Sequence, residues 1–360
     1  MTGIATALAR PARRLAGVAG LLTAAAVVTA CTGGGTSAGK GMGATPVAAA
    51  SGSAALALQE QYEKVVRIVL PAVVQITASQ GVGSGVAYDH SGDVVTNAHV
   101  VGSATRVKVR GATSSTELPA KVLGVFAADD LAVIRVEQDA SSLRPATFAK
   151  SADVKVGEMV LAMGNPLGLT GTVTEGIVSA TGRNVSEGQG SSAAIISAIQ
   201  TSAAINPGNS GGALVDLAGR VVGIPTLGAT NPSQGGGAAS GIGFAIPSDT
   251  VNRIAPQLIS HGRVTNSGRA ALGISAETVA NASGQPTGVG VANVTPGEGA
   301  DKAGIKPGDI ITAVDGQATK SVEELTSILV SKRPGDTVTV HYTRDGKSRT
   351  ATVTLSNLTS

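Results

Sequence analysis

The apolar positions of this chain change their period along its length. Between Ala57 and Leu70 they recur at helical spacing, which predicts a short amphipathic helix that stops before Pro71. Beyond Pro71 the period becomes that of strands. The segments "AVVQITA", "GVAYD", "DVVTNA", "RVKVR", "KVLGVFA" and "LAVIRV" follow one another, and then "MVLAMG", "TVTEGIVSA", "AIISAI", "GALVDL", "RVVGIP" and "IGFAIP". Turn signals such as "HSGD", "NPLG" and "LAG" separate them. Two sets of about six short strands without helices between them predict all-β barrels or sandwiches, and a pair of barrels is a natural unit for residues 57–262. One helix, "SDTVNRIAPQLISHG", closes that region. Residues 268–360 form a separate small α+β unit of four or five strands. Its one helix, "SVEELTSILVSK", gathers Val322, Leu325 and Ile328 or Leu329 on one face. Asp315-Gly316 and Asp345-Gly346 are hairpin-turn dipeptides.

The first residues follow a different pattern. Arg10, Arg13 and Arg14 precede an apolar stretch, Leu15–Ala30, which is shorter than the roughly 20 residues of a spanning helix. A basic start, a short apolar stretch and small residues at its end describe a secretory signal over 1–30. Cys31, the only cysteine of the chain, follows directly. "VTAC" resembles a bacterial lipobox with Val28 in place of the usual leucine, and that resemblance implies lipidation of Cys31. A plain cleaved signal and an uncleaved anchor compete with this reading, but a lone cysteine has no disulfide partner to explain it. Residues 31–56 are small and polar and read as a flexible tether.

Charge adds one exclusion. The chain carries 27 Lys and Arg against 24 Asp and Glu, a net charge of +3. The three arginines of residues 1–30, which hold no acid, account for the excess. The basic balance therefore belongs to the signal. Aromatic residues make up 2% of the chain, too few to stack bases, so nucleic acid is not an expected partner.

The candidate chemistry starts from "PGNSGG" at 207–212. By composition this is a turn, and 49 glycines make such windows common here. A serine nucleophile needs a base and an acid that orients the base. Of the four histidines, His90 sits in a turn, His261 ends a helix and His341 lies in the last unit. His99 ends an apolar strand in "VVTNAHVV". In "AADDLAVIRV", Asp130 opens the strand that enters the core, while Asp129 is expected in solvent. The order His99, Asp130, Ser210 puts base and acid in the first barrel and the nucleophile in the second. No metal-ligand cluster or nucleotide fingerprint appears, so no cofactor is expected.

"TNAHVV", "DLAVI" and "GNSGG", with "VGSGVAYD", "GNPLGLTGTVTEGIVSA", "QTSAAINPGNSGGALVD" and "GIGFAIP", resemble the trypsin-fold serine proteases of the HtrA (DegP- and DegS-like) branch over residues 58–360. The resemblance implies a chymotrypsin/trypsin-like double barrel with His99 as base, Asp130 as its orienter and Ser210 as nucleophile. It implies an oxyanion hole at Gly208, Asn209 and Ser210, and a specificity pocket at Ala204, Thr226 and Leu227. Asn209 replaces the aspartate that cleavage-activated relatives pair with a new N-terminus, so control is expected from loop ordering, with 182–192 and 228–240 the obvious loops, from oligomerisation or from the extra domain. Ser202, Ala213 and Pro225 depart from the pattern, and Pro225 removes one N–H from the strand expected to hold substrate.

"AGIKPGDIITAVDG" and "AALGI" resemble a PDZ domain, which implies capture of a peptide C-terminus by the backbone of Leu272, Gly273 and Ile274. Together these readings predict a lipid-anchored extracytoplasmic endopeptidase for unfolded or damaged envelope proteins, active as a homotrimer. A narrow regulatory protease and a chaperone-like binder with secondary proteolysis are the alternatives.

Overall fold

The computed structural model describes residues 48–360 except 80, 113, 139, 141–142, 166–170, 187–193, 207 and 232–236. The signal, Cys31 and most of the tether lie outside the described residues. The first helix, α1 (Ala48–Val69), begins nine residues earlier than the apolar period suggests. The end of the stretch read as a tether is thus helical. Its alanines carry no face, but alanine is the best helix former.

The first barrel closes six strands in the order β1-β2-β3-β6-β5-β4. They are β1 (Val73–Ala78), β2 (Gly81–Ala87), β3 (Asp93–Asn97), β4 (Arg106–Gly111), β5 (Glu117–Phe126) and β6 (Leu131–Val136). β3 is buried along its whole length, as a strand must be when barrel interior and neighbouring barrel cover its two faces. A short helix, α2 (Ala98–Val101), follows it. The second barrel begins with a short strand, β7 (Thr147–Phe148), and continues through β8 (Met159–Gly164), β9 (Thr172–Ser186), β10 (Ala194–Thr201), β11 (Ala213–Asp216), β12 (Arg220–Asn231) and β13 (Gly237–Pro247). The order is β11-β8-β9-β10-β13-β12-β7, and an added β11–β12 pairing closes six of these strands into a ring.

Each barrel has its own small apolar core. A larger one lies between them, where Phe126, Leu131, Met163 and Ile224 meet Val65 and Val69 of α1 and Ile254 and Leu258 of α3 (Ser248–His261). The two helices bookend this seam, and the site described below lies on it.

The chain then enters the last unit. A sheet of β15 (Ile274–Ala280), β16 (Pro286–Val294), β17 (Ile310–Val314), β18 (Gln317–Ala318), β19 (Thr337–Arg344) and β20 (Lys347–Thr354) carries β15 at its edge. The helices α4 (Gly299–Lys302) and α5 (Val322–Val330) complete it. Asp315 and Gly316, and Asp345 and Gly346, all have positive φ, as two-residue hairpin turns demand. In "KPGD", Asp309 is buried and binds Arg344 through both carboxylate oxygens, at 2.6 and 2.7 Å. A two-stranded ribbon, β14 (Ala270–Ala271) with β21 (Ser356–Asn357), joins the entry and exit of this unit. Past it, Leu358 donates its N–H to Arg269 and packs on the core between the barrels. Among the described residues no helix is long and apolar enough to cross a membrane.

Candidate active site

Strand register brings the expected base and acid together. β3 and β6 are antiparallel neighbours with Asn97 opposite Leu131, so the residues just after β3 and just before β6 share one end of the first barrel. His99 Nδ1 lies 2.8 Å from Asp130 Oδ2. The other carboxylate oxygen, Oδ1, accepts the backbone N–H of His99 at 3.0 Å. The acid therefore holds both the ring and the main chain of the base. Asp130 has φ 50 and ψ 41, the left-handed conformation that aspartate tolerates better than most residues. Its carbonyl accepts from Ala98 N–H at 3.0 Å and Asn97 Nδ2 at 3.1 Å. The carboxylate is buried, whereas the imidazole is 41% exposed and open to a substrate.

Ser210 stands across the seam, in the turn between β10 and β11. Gly208 takes φ 110 and Gly211 takes φ 81. A Cβ on Gly211 would sit 2.2 Å from the Ser84 carbonyl oxygen, so no side chain fits there. The Ser210 carbonyl accepts Ser84 N–H at 2.9 Å, and Gly211 N–H donates to Pro225 at 2.8 Å. The Ser210 hydroxyl donates to the Thr226 carbonyl at 2.8 Å, while the Thr226 hydroxyl donates to Asp130 Oδ2. Thr226 thus ties all three expected residues into one network. The sequence placed Thr226 only in the specificity pocket. Its second role had no sequence signal, because a threonine in a strand is ordinary.

The identity of residue 209 follows from its contacts. Asn209 is buried, its Oδ1 accepts Asn206 N–H at 3.0 Å, and its Nδ2 donates to the Ala204 carbonyl at 3.0 Å. A carboxylate can accept the first bond but cannot make the second. Asn209 N–H is itself used, donating to the Asn206 carbonyl at 3.1 Å. Of the three residues expected at the oxyanion hole, Asn209 thus spends its N–H within the turn. Ala204 is exposed and its carbonyl also accepts Thr174 Oγ1 at 2.9 Å, which fixes the floor of the expected pocket. The Leu227 side chain lies outside the described residues. Pro225 falls where β12 shifts register, so its missing N–H coincides with a bulge.

A cavity of about 1220 Å³ lies between the second barrel with α3 and the last unit; on the side of β15 and α5 it is lined by Leu272, Ile274, Val322, Leu325 and Leu329. Ile328 turns into the core of the unit. The helical face of α5 therefore serves both groove and core. The carbonyls of Leu272 and Gly273 are held by Ala300 and Thr295 N–H at 2.8 and 2.9 Å, which fixes the loop expected to bind a C-terminus.

Residues 83–224 match the model of the trypsin-like peptidase domain, and residues 270–355 that of the PDZ domain. The serine protease Do-like HtrA of Lactococcus lactis subsp. cremoris is 43% identical over 77% of this chain and 71% of its own. The chain belongs to the HtrA family of serine proteases. The periplasmic pH-dependent serine endoprotease DegQ of Escherichia coli is 39% identical, over 78% of this chain and 60% of the relative. The solved structure of the HtrA-type protease AlgW with decapeptide superposes with a TM-score of 0.55 at 29% identity, covering 82% of this chain and 98% of that one.

Two expectations for this HtrA-family serine endopeptidase need correction. Asp129 is buried, not solvated: it lies 2.7 Å from Arg269, itself 9% exposed, which precedes the PDZ loop and also donates to the Ala128 carbonyl. Burial pushes the Asp129 carboxyl up, against the opposing pull of Arg269 and then Arg253. The control loops are also shorter than read. Residues 182–186 belong to β9, and 228–231 and 237–240 extend β12 and β13. The remainder, 187–192 and 232–236, lies outside the described residues. Ser202 accepts Ile177 N–H at 3.0 Å, so this departure has a structural use.

Proposed function

We propose that this protease cleaves unfolded or damaged envelope proteins outside the cytoplasm through a His99–Asp130–Ser210 triad. The observation that carries the reading is the Asp130 carboxylate, which binds His99 Nδ1 and reaches Ser210 through Thr226. Ser210 Oγ attacks the scissile carbonyl carbon and its proton passes to His99 Nε2. The developing oxyanion turns toward the N–H groups of Gly208 and Ser210. The intermediate collapses, the amine leaves with the proton from His99, and an ester to Ser210 remains. Water, deprotonated by His99, hydrolyses that ester and frees the serine. Asp130 holds the ring in the tautomer that accepts at Nε2 and stabilises the imidazolium.

The groove beside β15 and α5 supports binding of hydrophobic C-terminal peptides as an added strand, with the terminal carboxylate at Leu272–Ile274. The related AlgW protease, solved with a decapeptide, supports the same reading. The periplasmic DegQ relative supports an extracytoplasmic location. Lipidation of Cys31 would anchor the enzyme there, and assembly as a trimer completes the proposal. The test is casein digestion by the chain from residue 32 onward beside its Ser210→Ala variant. Loss of turnover on the order of 10⁴–10⁶ in a folded variant is expected. Near-normal turnover refutes the triad.

A further inference from the structure

One buried hydroxyl outside the triad faces the nucleophile turn. Ser84, in β2, has no exposed surface. Its Oγ donates to the Gly208 carbonyl and accepts Asn165 N–H at 2.8 Å. Its backbone N–H donates to the Ser210 carbonyl at 2.9 Å, and its own carbonyl accepts Thr96 Oγ1 at 2.6 Å. Ser84 therefore touches the residues on both sides of Asn209, and it does so from the opposite barrel.

The Gly208 carbonyl belongs to the peptide between Gly208 and Asn209. The N–H end of that same plane donates to Asn206 at 3.1 Å. With both ends bound, the plane cannot rotate. Gly208 has no Cβ and sits at φ 110, a region where glycine meets little resistance to turning. That plane is the covalent link between the Gly208 and Ser210 N–H groups, so its release loosens the geometry of one donor relative to the other. An oxyanion hole works only when its donors are aimed before charge develops.

We infer that Ser84 is a positioning residue for the oxyanion hole: its hydroxyl fixes from the first barrel the Gly208–Asn209 peptide, the link that sets the Gly208 and Ser210 donors relative to each other. The inference rests on the triad reading above. It assigns Ser84 no contact with substrate and no proton to transfer. Its effect belongs to the transition state, so substrate affinity and the His99 titration should not register it.

The experiment compares the full chain with Ser84→Ala and Ser84→Thr on a short chromogenic peptide. It also measures inhibition by a peptide aldehyde, whose adduct with Ser210 places an oxyanion in the hole, and by the matching peptide alcohol, which does not. For Ser84→Ala, kcat falls roughly 10- to 100-fold, a part of what loss of a whole donor costs. KM stays within about threefold, the aldehyde weakens by a factor comparable to the kcat loss, and the alcohol is unaffected. The acid limb of the kcat/KM profile does not move, and Ser84→Thr, which keeps the hydroxyl, restores most of kcat. If Ser84→Ala does not fold, Ser84→Cys preserves the volume with a weaker donor and should show the same split. Three results overturn the inference: kcat within about twofold of wild type, equal weakening of aldehyde and alcohol, or a Thr variant as damaged as the Ala variant. An inactive wild-type chain or an active Ser210→Ala chain instead refutes the triad, which keeps the two failures apart.

Discussion

Replacing Asn209 by aspartate changes one NH₂ to an oxygen and should reveal how the nucleophile turn is held. Asn209 is 2% exposed, and its amide bridges Asn206 N–H and the Ala204 carbonyl. A carboxylate keeps the first bond, leaves the Ala204 carbonyl without this donor and sets a charge against it. An unsatisfied buried acceptor costs about 1–3 kcal/mol, and an unpaired buried charge adds more until the group protonates. A total near 3 kcal/mol corresponds to a carboxyl raised by about 2 pH units, since one unit is about 1.4 kcal/mol. The sign follows from linkage. With its folded pKa raised above the unfolded value of about 3.9, the carboxyl introduced by Asn209→Asp binds its proton more tightly in the native state. Once protonated, that carboxyl can donate to Ala204 as the amide does, so the deficit is small below about pH 4. It grows to its full size above about pH 6. Urea unfolding of Asn209→Asp, Asn209→Ala and wild type from about pH 4 to 8 measures this, at fixed protein concentration. The alanine variant should show a deficit independent of pH. An aspartate variant as stable as wild type at about pH 7.5, or one whose deficit does not shrink on acidification, refutes the staple.

Other outcomes follow from the same contacts. Arg269→Ala strands the buried Asp129 carboxylate and should cost about 3–5 kcal/mol in urea unfolding. Adding Asp129→Asn should recover most of that loss, and a neutral Arg269→Ala would show that the pair contributes nothing. In the PDZ unit, Asp309 is pushed up by burial but held below the ordinary 3.8 by Arg344 and Lys306 N–H, and Lys332 and Thr339 N–H lower Asp315. Both contribute stability above the unfolded carboxylate range and lose it as pH falls through their depressed values. Circular dichroism melts should therefore drop below about pH 4, and Asp309→Asn should flatten that limb. Cleavage of casein should follow Val, Ala, Ile or Leu, because Ala204 offers no carboxylate to a basic side chain. Mass spectrometry showing a strong Lys or Arg preference refutes this.

The barrels were legible because strand period and turn chemistry agreed along the chain, from "AVVQITA" to "IGFAIP". His99 and Asp130 were legible for the same reason: each flanks a strand, and paired strands put their ends together. Composition misled where pairing overrode it. The polar stretches at 182–186, 228–231 and 237–240 have no apolar alternation, yet they extend hairpins whose inner residues are paired, such as Ile224 with Ile246, and the pairing of β12 with β13 runs out to Asn231 with Gly237. The alanines before Leu56 look like linker only if amphipathicity is the sole test for a helix. Asp129 looked solvated because its partner, Arg269, is 140 residues away and lies just before another domain's entry strand.

The residues that the sequence missed share one physical property. Ser84 and Thr226 act through contacts between distant chain segments, not through local pattern. His99 and Asp130 need one strand pair, β3 with β6. Ser210 needs both barrels: its carbonyl is held by Ser84 from the first, and its hydroxyl by Thr226 from the second. Gly211 permits the approach by leaving no Cβ between Ser210 and the Ser84 main chain. Small shifts of one barrel against the other therefore act on Ser210 and Gly208 through Ser84 and on Asp130 through Thr226, while the His99–Asp130 contact lies within the first barrel. Perturbations at the seam, including Val65 and Val69 of α1, should lower kcat while the His99–Asp130 hydrogen bond persists. The acid limb of the pH profile separates the two cases, because it follows the base and acid and not the serine.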